Sequence, residues 1–133
     1  MKILLSEPAD LLRRTVSLTV RSLGNVDVTE AATYPVARQL CELRPFDAAV
    51  IAFEGNASGD TCAGLALLRQ IRQGQSASPT SIPIVVLVET CDARTLDLLR
   101  PYGIRRILIK PFRARDVIET ITKLGKAAGA IAT

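Results

Sequence analysis

The stretch Phe46–Gly55, FDAAVIAFEG, decides the fold. From Ala48 to Phe53 it is apolar without a break, rather than alternating. A strand of that kind is covered on both faces, as in a parallel sheet between two layers of helices. It runs into a Gly-containing loop, and in open α/β sheets ligands sit where such strands end. The residue at this end is Ala52, whose methyl group carries no chemistry.

The same rhythm extends in both directions. KILLS (2–6), VDVTE (26–30), IPIVVLVE (82–89) and RILIK (106–110) read as the other four strands. Helical spacing marks the segments between and after them. Leu12, Val16, Thr19 and Leu23 form one stripe, with Gly24 as a stop. YPVARQLCELR (34–44) carries Pro35 in its first turn, where a missing N–H costs little. Leu65, Leu68 and Ile71 mark a third helix, and ARTLDLLRPYG (93–103) is a short fourth ended by Pro101 and Gly103. Val117, Ile118, Ile121 and Leu124 mark the last. Strand and helix alternate five times, and the crossovers are too long for hairpins. The expected architecture is a single doubly wound α/β domain of flavodoxin-like type. Its five-stranded parallel sheet has order 2-1-3-4-5, with helices on both faces. The domain is expected over residues 1–124, with 125–133 as a C-terminal tail or the start of a linker.

Composition narrows the function. A chain of 133 residues fits one domain with a core that needs no disulfide or metal. Apolar residues are 48% and charged residues 23%, which argues against disorder. No apolar run is long enough to span a bilayer, and MKILLSEPAD does not read as a signal peptide, so a cytoplasmic protein is expected. Cys41, Cys62 and Cys91 are odd in number and widely spaced, and histidine is absent. Neither a disulfide framework nor a zinc pattern follows, and the usual general base near neutral pH is missing. The net charge of +4 is concentrated late in the chain. Arg100, Arg105, Arg106, Lys110, Arg113, Arg115, Lys123 and Lys126 face only Asp116 and Glu119 there.

Taken in order, KILL-E, a first helix ending LG, FDAAVIA, GLALLRQIR, IPIVVL and ILIKPF resemble the receiver domain of bacterial response regulators over about residues 1–124. The resemblance implies a phosphorylation switch. An acidic pair after strand one and an Asp ending strand three would hold Mg²⁺, and that Asp would accept a phosphoryl group. A hydroxyl residue ending strand four and a Lys before Pro after strand five would hold the phosphate. An aromatic residue on strand five would swing between two positions. The Lys–Pro bond would be cis.

This chain departs from that pattern at four of six positions. The acidic pair falls on Glu7 and Pro8, the phosphoacceptor on Ala52, the hydroxyl on Val88 and the aromatic switch on Ile107; Lys110 is kept. A methyl group cannot attack phosphorus. Mg²⁺ needs hard oxygen ligands, which Pro8 and Ala52 do not supply. Val88 has the shape of Thr without its hydroxyl. A buried lysine needs a carboxylate, so Lys110 is expected to pair with Glu7, Glu89 or Glu54.

The expected function is a phosphorylation-independent, receiver-like signalling module. It would be no enzyme and use no cofactor, and it would act by protein–protein contact. Receivers often signal through helix four, strand five and helix five. Here that face carries Arg100, Arg105, Arg106, Arg113 and Arg115, suited to a homodimer or an acidic protein partner. The alternatives are a rebuilt Mg²⁺, phosphate or small-ligand pocket, with Asp60, Glu54, Glu89 or Thr90 as substitutes, and nucleic-acid binding through the basic surface. Against nucleic acid stand the absence of Trp and the isolation of Tyr34 and Tyr102. Flavin and nucleotide sites lack their phosphate-cradling glycines.

Overall fold

β3 (Ala48–Ala52) is buried along its whole length, as its unbroken apolar run requires. So is β4 (Ile84–Val88). The computed structural model describes residues 1–53 and 63–132, with side chains described as far as Leu124. The remaining elements are β1 (Lys2–Ser6), α1 (Asp10–Arg21), β2 (Asp27–Ala31), α2 (Tyr34–Leu43), α3 (Ala63–Arg72), α4 (Ala93–Leu99), β5 (Arg106–Ile109) and α5 (Ala114–Ala132). A 3-10 turn, Arg100–Tyr102, follows α4. All four strand pairings are parallel, and the order is β2-β1-β3-β4-β5, as expected.

The sheet separates two cores. Val16 and Val20 of α1 join Val117, Ile121 and Leu124 of α5 against Ile3, Leu5, Val50, Val85 and Leu87. On the opposite face, Ala37 and Cys41 of α2, Leu65, Leu67, Leu68 and Ile71 of α3, and Leu99 of α4 cover Leu4, Ala49, Ile51, Ile84 and Val86. Alternate residues of each strand therefore serve opposite cores, the period-2 pleat at work. Each fully buried Leu or Ile contributes about 1.5–3 kcal/mol from removal of apolar surface.

One helical stripe differs from its expected course. The buried face of α1 is Arg13, Val16, Ser17 and Val20, not a line through Thr19 and Leu23. The helix ends at Arg21, so Leu23 leaves the helical period and is 36% exposed. Thr19 turns its hydroxyl back to the Thr15 carbonyl at 2.9 Å.

Helix ends follow local chemistry. Thr33 caps α2 by accepting from the Val36 N–H at 3.4 Å. Asp92 caps α4 by accepting from both the N–H and the hydroxyl of Thr95 at 2.9 Å. Those bonds favour the ionised form and hold the Asp92 carboxyl below its ordinary range. Gly103 takes a left-handed φ of 60° after the 3-10 turn, a conformation that costs glycine little. Cys41 and Cys91 are free thiols, and burial, helped by Glu42, pushes the Cys41 thiol up to about 11. Cys62 lies outside the described residues. Among the described residues no helix is long and apolar enough to cross a membrane.

Candidate functional site

Parallel pairing brings the ends of β1, β3, β4 and β5 to one edge of the sheet. Ser6 lies opposite Ile51, Ala52 opposite Leu87, and Val88 opposite Ile109. The ladder continues just past the strands. Phe53 N–H donates to the Leu87 carbonyl and Lys110 N–H to the Val88 carbonyl, both at 2.8 Å. This carries Glu7 and Lys110 to the same end as Ala52 and Val88. The Lys110–Pro111 bond is cis.

The Glu7 side chain is completely buried, and the Lys110 ammonium stands 2.5 Å from its Oε1. Of the three carboxylates expected for Lys110, the structure assigns Glu7. Glu89 is exposed, and Glu54 and Asp60 lie outside the described residues. The contact is a close ion pair between an ammonium and a buried carboxylate. Oε2 accepts from the Ala9 N–H at 3.2 Å. A carboxylate this far from water would be costly to keep ionised without its cation.

Arg13 holds Glu7 from the other side. Its Nη1 donates to the Glu7 carbonyl at 3.0 Å, while Nη2 and Nε meet Asp10 at 2.8 Å and Glu30 at 3.3 Å. In the sequence Arg13 reads as a polar residue on a helix; only the meeting of α1 with the end of β2 gives it this place.

Ala52 is 2% exposed, and its surroundings are filled by other means. The Tyr34 hydroxyl, at the start of α2, donates to the Ala52 carbonyl at 2.7 Å. Gly64 passes so close that a Cβ there would lie 2.9 Å from the same oxygen. Val88 belongs to the core below. Pro8 is exposed, Thr90 is exposed, and Ile107 is half-buried against the same core. The described residues at this edge do not fit Mg²⁺. Glu7 is committed to Lys110, and Pro8, Ala52 and Val88 offer no side-chain oxygen. Among the described residues no three His, Cys, Asp or Glu side chains form a metal-ligand set.

The five arginines of the basic face differ in exposure and partners. Arg106 is half-buried, its Nη1 donating to the Thr120 hydroxyl at 2.7 Å. Arg100 pairs with Asp97 at 3.4 Å in an exposed contact of the kind worth little. Arg105, Arg113 and Arg115 are exposed. Two hollows open on this half of the molecule. One, of ≈ 330 Å³, lies between α4 and β5, against Leu96, Leu99, Ile104 and Ile107. The other, of ≈ 480 Å³, lies at the carboxyl end of the sheet, between Leu12, Glu89, Lys110, Pro111 and Phe112.

Sequence reasoning also passed over Arg72. Its guanidinium donates to four carbonyls, those of Tyr102, Thr80, Ile82 and Gly103, at 2.6–3.3 Å. Arg69 Nε adds a bond to the Tyr102 hydroxyl at 2.9 Å. Together they fasten the end of α3 to the turn before β5.

No protein-family model matches the chain, and no curated protein matches it. Solved structures do. The chemotaxis response regulator CheY4 of Vibrio cholerae superposes with a TM-score of 0.76 at 20% identity, covering 92% of this chain and 97% of that one. The receiver domain of the Francisella response regulator 1452 gives 0.75 at 20% identity, with 96% and 98% covered. A CheY-like receiver domain protein of Methanospirillum hungatei JF-1 gives 0.75 at 19%, with 97% of each chain covered. At these identities the likeness establishes the fold: the CheY-like arrangement of five parallel strands in the order 2-1-3-4-5 with five helices.

Proposed function

We propose that residues 1–124 form a receiver-like signalling module that works without phosphoryl transfer, by contact with another protein. The observation that carries this reading is the Glu7–Lys110 pair beside Ala52. The lysine that would hold a phosphoryl group is already paired with a buried carboxylate. The residue read at the acceptor position is Ala52, whose methyl group offers no oxygen and whose carbonyl is covered by Tyr34 and Gly64. Val88 and Pro8 agree with it, since each lacks the oxygen its position would require.

Contact would run through the face of α4, β5 and α5. Support comes from Arg105, Arg113 and Arg115, whose charges stand in solvent, and from Leu96 and Ile109, which are 44% and 51% exposed. Arg and apolar side chains together suit a protein surface bearing carboxylates, or a second copy of the chain. Arg106 is half-buried and bonded to Thr120 of α5, so it adds less free charge to this surface.

The test is an Arg105→Glu/Arg113→Glu variant. Self-association of the purified chain is measured by sedimentation velocity, and quantitative affinity capture is run with and without acetyl phosphate and Mg²⁺. At least one association should be lost in the variant and be indifferent to the phosphodonor in the parent. If charge reversal leaves every association intact, the surface is wrong; if the donor changes them, phosphorylation independence is wrong.

A further inference from the structure

The hollow at the carboxyl end of the sheet holds groups that the docking reading does not use. Leu12, Pro111 and Phe112 make an apolar wall, and Glu89 and Lys110 supply opposite charges on the same rim. The hollow, ≈ 480 Å³, is open to solvent and has room for a small molecule. Such sites are mostly apolar with a few polar groups that fix orientation.

The two charges are in different states. Lys110 has three N–H donors, and Glu7 meets the ammonium on one side only. Its side chain is 22% exposed, and no other acceptor engages the ammonium among the described residues. Glu89 is exposed and has no cation against it among the described residues. A ligand carrying only an anion would meet Lys110 but be repelled by Glu89 and by Glu7 behind it. A ligand carrying only a cation would satisfy Glu89 and leave the Lys110 donors to water. A zwitterion satisfies both, and an apolar body on it covers the wall.

We propose that this hollow binds a small zwitterion with an apolar side chain, a free apolar amino acid in chemical class. Its carboxylate would take the remaining donors of Lys110, and its ammonium would take the Glu89 carboxylate. Its side chain would lie on Leu12 and Phe112. Charge-assisted bonds of this kind are the stronger ones, and they discriminate because a missing partner leaves a polar group unpaired. The inference does not depend on the docking face, and it concerns no phosphoryl chemistry.

The experiment is a titration of the intact ¹⁵N-labelled chain, followed at the backbone amides of Glu89, Lys110 and Phe112. Three probes of one size are compared: L-phenylalanine, phenethylamine and 3-phenylpropionate. Saturable shifts at these amides are expected with L-phenylalanine, roughly tenfold weaker with either single-charge analogue. Glu89→Gln should bring the affinity for L-phenylalanine down to that for 3-phenylpropionate, and as an exposed position it leaves the fold in place. Binding of either analogue as tightly as the amino acid overturns the proposal. So does an unchanged affinity in Glu89→Gln, or the absence of saturable shifts with L-phenylalanine at these amides.

Discussion

Lys110 and Arg72 are both long cations set partly into the protein, and they are satisfied in opposite ways. Lys110 faces a fully buried carboxylate at 2.5 Å, one charge set against one charge. Arg72 has no carboxylate against it among the described residues; four carbonyl oxygens receive its planar fork. Burial consequently pushes the Arg72 guanidinium below its ordinary value. The lysine arrangement is a balance of charges and fails when either member goes alone. The arginine arrangement is a fastener between chain segments, and its acceptors have water to fall back on. The carboxyl end of the sheet is thus the electrostatically committed region, and the α3 end is the mechanically committed one.

The largest effect should come from breaking the balance on one side. Lys110→Met strands the Glu7 carboxylate away from water and should lower stability by about 3–5 kcal/mol, measured by urea unfolding. Glu7→Met/Lys110→Met removes both charges and should recover most of the loss, because well-packed apolar replacements of a buried pair are often neutral. A double variant as unstable as the single one would mean that the pair acts through shape rather than charge.

The arginine fastener should show a smaller effect. Arg72→Met should cost about 1–3 kcal/mol, since the freed carbonyls lie near solvent and can be hydrated. Arg72→Lys should recover little of it, because an ammonium cannot span acceptors on both segments. Full recovery by lysine would make Arg72 another charge site and remove the contrast.

Much of this was legible in the residues. The unbroken run of β3 and the five alternations gave the sheet order, and the end of β3 put Ala52 at the edge where chemistry would sit. The need of Lys110 for a carboxylate was also legible, although the sequence offered three. Choosing Glu7 took the packing that seals it from water. Other features could not be read. Arg13, Arg72 and Tyr34 act on backbone carbonyls outside their own helices, and no residue pattern marks a carbonyl as an acceptor. The α1 stripe was displaced because its helix stops at Arg21, and a periodicity extended through Leu23 cannot register that stop. Arg106 looked like surface charge until Thr120 came within 2.7 Å of it.

The central proposal is that this carboxyl end takes no phosphoryl group. The direct test is the intact mass of the full chain after incubation with acetyl phosphate, with and without Mg²⁺. An unchanged mass in both arms is the predicted result. A Mg²⁺-dependent, hydroxylamine-sensitive gain of one phosphoryl group would contradict the account, because it would mean that a carboxylate of this chain accepts the group.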